Sequence, residues 1–343
     1  ERADWMAVGD GLTVSREDGD AIAACSAPRA ARLRLDPARF TLYRRGDRAG
    51  DVAGGDVAAD NASAADAIVA ELRAALGIEA GRLDGERLRS EEAFHDEWAA
   101  GTKVEDVLVR ESFEACTAPE HGYILETLGD LRGKRLLDLG SGLGEASVYF
   151  ALRGARVTSC DLSAGMLKVV ERVAAHHGVC VTPHQAPAER TGLPDAAFDV
   201  VYAGNLLHHV DIAPTLDEVR RVLAPGGLFV SWDPLAHNPL IDVYRRMAGA
   251  MRTVDERPLR MEDLGLFRER FGEVAYRCFW FFTLAVFLRF YLEGAHPSKE
   301  RYWKKILREA GRLEPFYRRL EFWDRALLGA CPWFGRWCWN IVI

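Results

Sequence analysis

The sequence lacks several features that would mark whole classes of protein. It has no run of about 18 uninterrupted apolar residues, so no transmembrane helix is expected. The opening residues, ERADWMAVGDG, carry no basic segment leading into an apolar one, so no secretory leader is legible there. The seven cysteines (Cys25, Cys116, Cys160, Cys180, Cys278, Cys331 and Cys338) form no C-x-x-C pair and no zinc-type spacing. That pattern suits reduced thiols in a cytoplasmic protein and predicts no metal site. The formal net charge is −7 and no dense basic stripe is present, which argues against nucleic acid as a partner.

What the chain does have is core-forming material and a marked asymmetry. Hydrophobic residues make up 49% of it, ample for one large domain or two. Residues 234–343 hold six of the nine tryptophans and carry more Lys and Arg than Asp and Glu, so the C-terminal part is basic and aromatic and the remainder acidic.

The most informative stretch is RLLDLGSGLGEAS, residues 135–147. Its first five residues read as a buried strand, its glycines as a turn, and Glu145 as the start of a helix. This strand–glycine turn–helix unit opens nucleotide-binding α/β domains, because only glycine lets the backbone turn sharply and admit a ligand where a Cβ would collide. A dinucleotide fingerprint, G-x-G-x-x-G, places a third glycine where this chain has Glu145. A carboxylate there would repel a pyrophosphate at the helix N-terminus, which argues against a NAD(P)-dependent oxidoreductase, the first rival reading.

Further motifs follow in order. RVTSC reads as a second strand ending at Asp161; FDVVYA reads as another, leading to Asn205 and His208–His209; RVLAPGGLFV reads as a helix end, a turn and a strand running to Asp233. The series D-x-G-x-G-x-G, acidic residue, FD-V, LHHV, LxPGG resembles that of the class I S-adenosylmethionine (SAM)-dependent methyltransferases over roughly residues 133–233. It is similar to a ubiquinone/menaquinone-biosynthesis-like, bacterial-type branch with an aromatic C-terminal extension. The resemblance implies an α/β fold with a doubly wound, mostly parallel seven-stranded sheet, a helical lid and a C-terminal helical cap. SAM would be the methyl donor and S-adenosylhomocysteine (SAH) the product. Asp138, Gly140, Ser141, Gly142 and Gly144 would form the methionine-side turn, Asp161 with Leu162 would hold the ribose, and Ala188, Glu189 and Asn205 would complete the cofactor site. Pro187 stands where an acidic residue is common in the family, which puts the adenine amino contact in doubt.

The chain divides into residues 1–89, an extension or small module whose role is not legible; 90–233, the SAM-binding core with its lid helices; and 234–343, an acceptor-binding cap with the last sheet strands. Short strands are expected at 11–16, 31–35 and 40–44, a loop at 46–61 and a helix at 64–76. Ser90 is expected to cap a helix carrying Phe94 and Trp98 on one face. With His95 and Tyr123 they are lid candidates by resemblance, and aromatic core packing is the plainer reading of Phe94 and Trp98. Residues 279–292, FWFFTLAVFLRFYL, are too short to span a bilayer; they read as a buried helix, an acceptor pocket or a membrane-surface element. The final PWFGRWCWNIVI reads as the last strand of the sheet.

Methyl transfer from a sulfonium is an in-line displacement. A hydroxyl or carbon acid acceptor needs a base, whereas a thiolate or carboxylate needs mainly positioning. Candidate bases are His208, His209, Asp233 and His237, with Asp233 taking a proton itself or orienting His237. A structural histidine under the sheet is the plainer reading of the pair. Arg252 and Arg257 are candidates for an anionic acceptor group, with surface ion pairing as the default. The expected acceptor is a small or lipophilic metabolite methylated on O, N or C. Peripheral membrane contact through 279–343 and a homodimer are further expectations. The second rival is non-catalytic: a SAM-fold module that binds a partner or a membrane surface.

Overall fold

The computed structural model describes residues 5–8, 12–17, 20–25, 32–35, 80–247, 257–298 and 300–343. Two compact units divide at Arg89/Ser90. In the first, β1 (Trp5–Val8), β2 (Leu12–Glu17), β3 (Asp20–Cys25) and β4 (Arg32–Leu35) form an antiparallel meander in that order. Strands expected at 11–16 and 31–35 correspond to β2 and β4. The expectations for 40–44, 46–61 and 64–76 lie outside the described residues.

The second unit carries the site. Helix α1 (Ala80–Ala100), whose residues from Ser90 onward belong to this unit, is followed by α2 (Val109–Glu114) and α3 (Pro119–Leu128). Then strands and helices alternate: β5 (Arg135–Leu139), α4 (Glu145–Leu152), β6 (Arg156–Asp161), α5 (Ala164–His176), β7 (Val181–Gln185), β8 (Phe198–Gly204), α6 (Ile212–Val222) and β9 (Leu223–Pro234). The C-terminal part adds α7 (Pro239–Met247), α8 (Leu264–Arg270), β10 (Arg277–Phe279), α9 (Ala285–Leu292), α10 (Tyr302–Arg308), α11 (Ala310–Ala330) and β11 (Asn340–Val342).

The seven strands run in the order β10-β11-β9-β8-β5-β6-β7. The five from β9 to β7 are parallel, and β11 is antiparallel to both its neighbours. This is the doubly wound sheet the sequence implied, and the closing WNIVI segment does supply a strand. Leu136 and Leu137 of β5 and Val200 and Val201 of β8 are fully buried, as central parallel strands covered on both faces must be. The strand order reverses between β5 and β8, so their carboxyl ends open a crevice where such sheets take ligands.

Two local expectations are corrected. Ser90 does not cap a helix: α1 already begins at Ala80, because Glu86, Arg87, Leu88 and Arg89 before it are good helix formers and serine is tolerated within a helix. Residues 279–292 are not one buried helix. Phe279 ends β10, the chain reverses at Trp280 in a left-handed conformation (φ 72°), and helix resumes only at Ala285. Four consecutive aromatics at 279–282 favour extended backbone. The Asp324 carboxylate then accepts the backbone N–H groups of Phe282 (2.5 Å) and Thr283 (3.4 Å) and the Thr283 hydroxyl (2.7 Å). In α9, Val286, Phe287 and Phe290 are buried, whereas Leu288, Tyr291 and Leu292 are exposed.

Candidate active site

The glycine turn leaves β5 with Gly140, Gly142 and Gly144 all in positive-φ conformations (72°, 52° and 89°). Their surroundings differ. A Cβ on Gly140 would lie 2.6 Å from Leu206 Cδ1 and one on Gly144 2.9 Å from Val170 Cγ2, but a Cβ on Gly142 would meet nothing within 4 Å. Gly140 and Gly144 are therefore packing glycines, and Gly142 borders open space at the strand ends.

Asp161, at the end of β6, is tied to this turn. Its Oδ2 accepts the Gly142 N–H at 2.8 Å and its Oδ1 the Ser163 N–H at 2.9 Å. Burial pushes its pKa up while those amides pull it back. Next to it, the buried Ser141 hydroxyl has no hydrogen-bond partner among the described residues. An open glycine, a carboxylate with spare lone pairs and an unmet hydroxyl fit a polar ligand with ribose-like hydroxyls.

Asp138 lies elsewhere. It is buried beneath the turn and accepts the Ser147 hydroxyl at 2.5 Å, which in turn is 2.5 Å from the Ser159 hydroxyl. Burial raises its pKa to about 7. It braces the turn from below and is not brought to the open side. Leu162 offers its carbonyl to Gln185 Nε2 (3.0 Å), Ala188 is buried, and Glu189 Oε1 accepts the Asp211 N–H (3.3 Å). Asn205 is exposed in a left-handed conformation (φ 58°), with its N–H donated to the Trp232 carbonyl at 2.7 Å.

At the carboxyl ends of β8 and β9, the histidines and Asp233 form a definite arrangement. His208 Nδ1 lies 2.8 Å from Asp233 Oδ1, and both side chains are buried. Complete burial pushes the Asp233 pKa well up, against the pull of the His208 and Leu207 backbone amides. The His209 ring lies 4.1 Å from that of His208 and 6.0 Å from that of His95, and its Nδ1 is 3.6 Å from Glu91 Oε2. His237 does not join them. Its Nε2 accepts the Met261 N–H at 3.4 Å and lies 3.8 Å from Glu262. Asp233 thus orients His208 and not His237, because β9 carries Asp233 to the loop after β8 before the chain turns away at Pro234.

The roof of the crevice is the second half of α1. Asp96 Oδ1 accepts the Ser163 hydroxyl (2.5 Å) and the Gly165 N–H (2.9 Å), pinning α1 to the start of α5. The His95 ring lies 6.0 Å from that of His209 and stacks on Trp98 at 6.3 Å between centroids, so His95 and Trp98 belong to the roof. Tyr123 does not: its ring packs on Phe279 and Arg277 beside β10. Arg257 pairs with Asp263 at 2.9 Å, the surface default; Arg252 lies outside the described residues. Asp96 and Glu91 escaped the sequence reading because nothing local marks a carboxylate that meets Ser163 67 positions away, or one that lies beside His209.

Comparison with known proteins finds methyltransferases. Residues 137–231 match the family described as Methyltransferase domain. The chain is 35% identical over 119 residues to a ubiquinone biosynthesis O-methyltransferase of Bordetella parapertussis, covering 34% of this chain and 49% of that protein. It is 40% identical over 100 residues to a malonyl-[acyl-carrier protein] O-methyltransferase of Serratia marcescens, covering 29% and 37%. A solved structure of a putative methyltransferase from Bacillus halodurans has 26% identity, covers 46% of this chain and 71% of that one, and superposes with a TM-score of 0.41. The chain spans about half the length of the first of these curated relatives.

Proposed function

We propose that this chain, whose residues 137–231 are a class I SAM-dependent methyltransferase domain, transfers a methyl group to an O, N or C atom of a small or lipophilic acceptor. The observation that carries the reading is the pairing of Gly142, open to the crevice, with the buried Asp161 carboxylate. When bound, SAM supplies an activated methyl on a sulfonium. The chain's own task is to hold, orient and deprotonate. Asp161 and the Ser141 hydroxyl bind hydroxyl and polar groups of the cofactor. His208, fixed by Asp233, takes the proton of an O–H or C–H acceptor; with Nδ1 donating to the carboxylate, Nε2 is the basic nitrogen. Asn205 and His209 line the same edge. Glu145 in the place of the third glycine, together with the match to a methyltransferase domain, leaves the nicotinamide reading without support.

The lipophilic end of the acceptor range is favoured by the exposed aromatics Phe282, Phe322, Trp323 and Trp333. Aromatic rings of this kind suit a lipid interface. No helix among the described residues is long and apolar enough to cross a membrane, so such contact would be peripheral. The test is incubation with methyl-labelled SAM and cell extract. Label carried into an extractable small molecule, and lost with Asp161→Ala, supports the proposal. Absence of both label transfer and SAH binding would favour the non-catalytic module instead.

A further inference from the structure

The loop that leaves β6 is tied to the roof helix α1 at two points. The Ser163 hydroxyl donates to Asp96 Oδ1 at 2.5 Å, and the Gly165 N–H donates to the same oxygen at 2.9 Å. Gln185 Nε2, at the end of β7, donates both to Glu92 Oε1 (3.2 Å) and to the Leu162 carbonyl (3.0 Å). The other contacts of this loop lead into the crevice. The Ser163 N–H donates to Asp161 Oδ1 at 2.9 Å, and Asp161 Oδ2 accepts the Gly142 N–H at 2.8 Å. Asp96, Ser163, Asp161 and Gly142 thus form one hydrogen-bonded chain from the roof to the glycine turn.

The sequence makes room for this chain. Helices α1 and α5 meet at Gly165, where a Cβ would lie 2.7 Å from Asp96 Oδ1 and 3.2 Å from Ala99 Cβ. Glycine is a poor helix former, and the approach of α1 accounts for its place as the second residue of α5. Ser163 is fully buried, and a hydroxyl has a single proton to give. Asp96 takes that proton, while the Met166 N–H (3.0 Å) occupies a lone pair of the same hydroxyl. The proton is therefore committed away from Asp161, whose remaining lone pairs stay open to a ligand. The Ser163 hydroxyl and then the Gly165 amide also lower the Asp96 pKa, which keeps the residue ionised at the N-terminus of α5, where negative charge is stabilised.

We propose that Asp96 is a positioning residue for Asp161: through Ser163 it sets the carboxylate that binds the ribose hydroxyls of the cofactor, and so joins the roof helix and the cofactor site into one unit. The assignment rests on the SAM-dependent reading above and adds to it a residue outside the matched domain. Coupling of this kind is reciprocal. If the roof contact improves cofactor binding, bound cofactor tightens the roof contact by the same factor.

The test uses calorimetric titration of the full chain with two ligands. One is SAH; the other is its 2′,3′-dideoxy analogue, which lacks only the two ribose hydroxyls. The wild type is expected to prefer SAH by about tenfold or more, the usual scale of a hydrogen bond to a charged group. Asp96→Ala should weaken SAH binding by about threefold or more, shrink that preference, and leave the analogue within about twofold of wild type. Gly165→Ala, which displaces the carboxylate from the other side, should act in the same way. Asp96→Asn, which keeps an acceptor oxygen, should recover part of the preference. Each variant should retain the wild-type circular dichroism spectrum. In hydrogen exchange, SAH should slow the amides of residues 94–100 in the wild type and have a smaller effect in Asp96→Ala. Variants that keep the full preference, or that lose both ligands equally as a merely loosened α5 would, overturn the assignment while SAM dependence stands; so does roof protection that persists undiminished in Asp96→Ala, or a wild type that binds both ligands equally. A wild type that binds neither ligand overturns the SAM reading itself, a result distinguishable from the others.

Discussion

His208 Nδ1 and Asp233 Oδ1 meet at 2.8 Å across the ends of two adjacent parallel strands. A buried carboxylate against a histidine ring fixes tautomer and orientation, which is what a general base requires. His208→Asn is expected to lower kcat by about 10²–10⁴, the typical contribution of a positioned base. Asp233→Asn should act in the same direction, and SAH affinity should change little in either variant. Steady-state kinetics with the identified acceptor, alongside SAH titration, checks this. Unchanged kcat in both variants would leave the pair a structural one.

The three glycines of the turn should separate by function. Gly142→Ala pays about 1–2 kcal/mol for a left-handed backbone and meets no clash, so its Tm should fall only modestly while SAH affinity falls sharply. Gly144→Ala adds a clash with Val170, worth about 1–3 kcal/mol more, and should melt several degrees lower. Thermal melts with and without SAH distinguish them.

Glu120 gives a pH dependence with a defined sign. Its Oε2 accepts the Trp280 indole N–H at 2.9 Å, its Oε1 the Asn340 amide at 3.2 Å, and burial raises its pKa from 4.5 to about 7. Because the folded-state value is the higher one, the stabilisation is fully present below pH 4.5 and is lost as pH rises through 7. Neighbouring His121, lowered by burial from 6.5 to about 3, works the other way: its contribution is present above pH 6.5 and is lost as pH falls towards 3. Comparing wild type with Glu120→Gln isolates the glutamate. Between pH 4.5 and 8 the wild type should lose on the order of 3 kcal/mol relative to the variant. Urea unfolding across that range would show parallel curves if the assignment is mistaken.

The exposed aromatics predict lipid contact. Wild-type protein should float with vesicles containing anionic lipid, and Trp323→Ser with Trp333→Ser should reduce flotation several-fold at unchanged Tm. Flotation equal to that of a soluble control, with a dimer in size-exclusion chromatography that the same substitutions dissociate, would mean that a second copy covers this face.

Much of the core was readable because its signals are local. The strand runs at 135–139 and 198–203, the glycines between strand and helix, and the PGG turn each announce themselves within ten or so residues, and parallel topology follows from their alternation. Placement of Asp161, His208 and Asp233 at strand ends follows from the same pattern. Pairings across the fold left no trace in local sequence. Asp96 capping α5, Glu91 beside His209 and Arg301 on Trp98 depend on how helices from opposite ends of the chain meet over the sheet. His237 misled because nearness to Asp233 in sequence is not nearness in space once Pro234 ends the strand. In 279–292, uniform hydrophobicity concealed the reversal at Trp280 and the change from strand to helix.

The most direct test of the central claim is calorimetric titration of SAH into the wild type and into Asp161→Ala. The account predicts saturable binding to the wild type, weakened in the variant by about 1–3 kcal/mol, the loss expected when a buried hydrogen-bonding partner is removed. No SAH binding by correctly folded wild-type protein, or equal binding by both proteins, would contradict it.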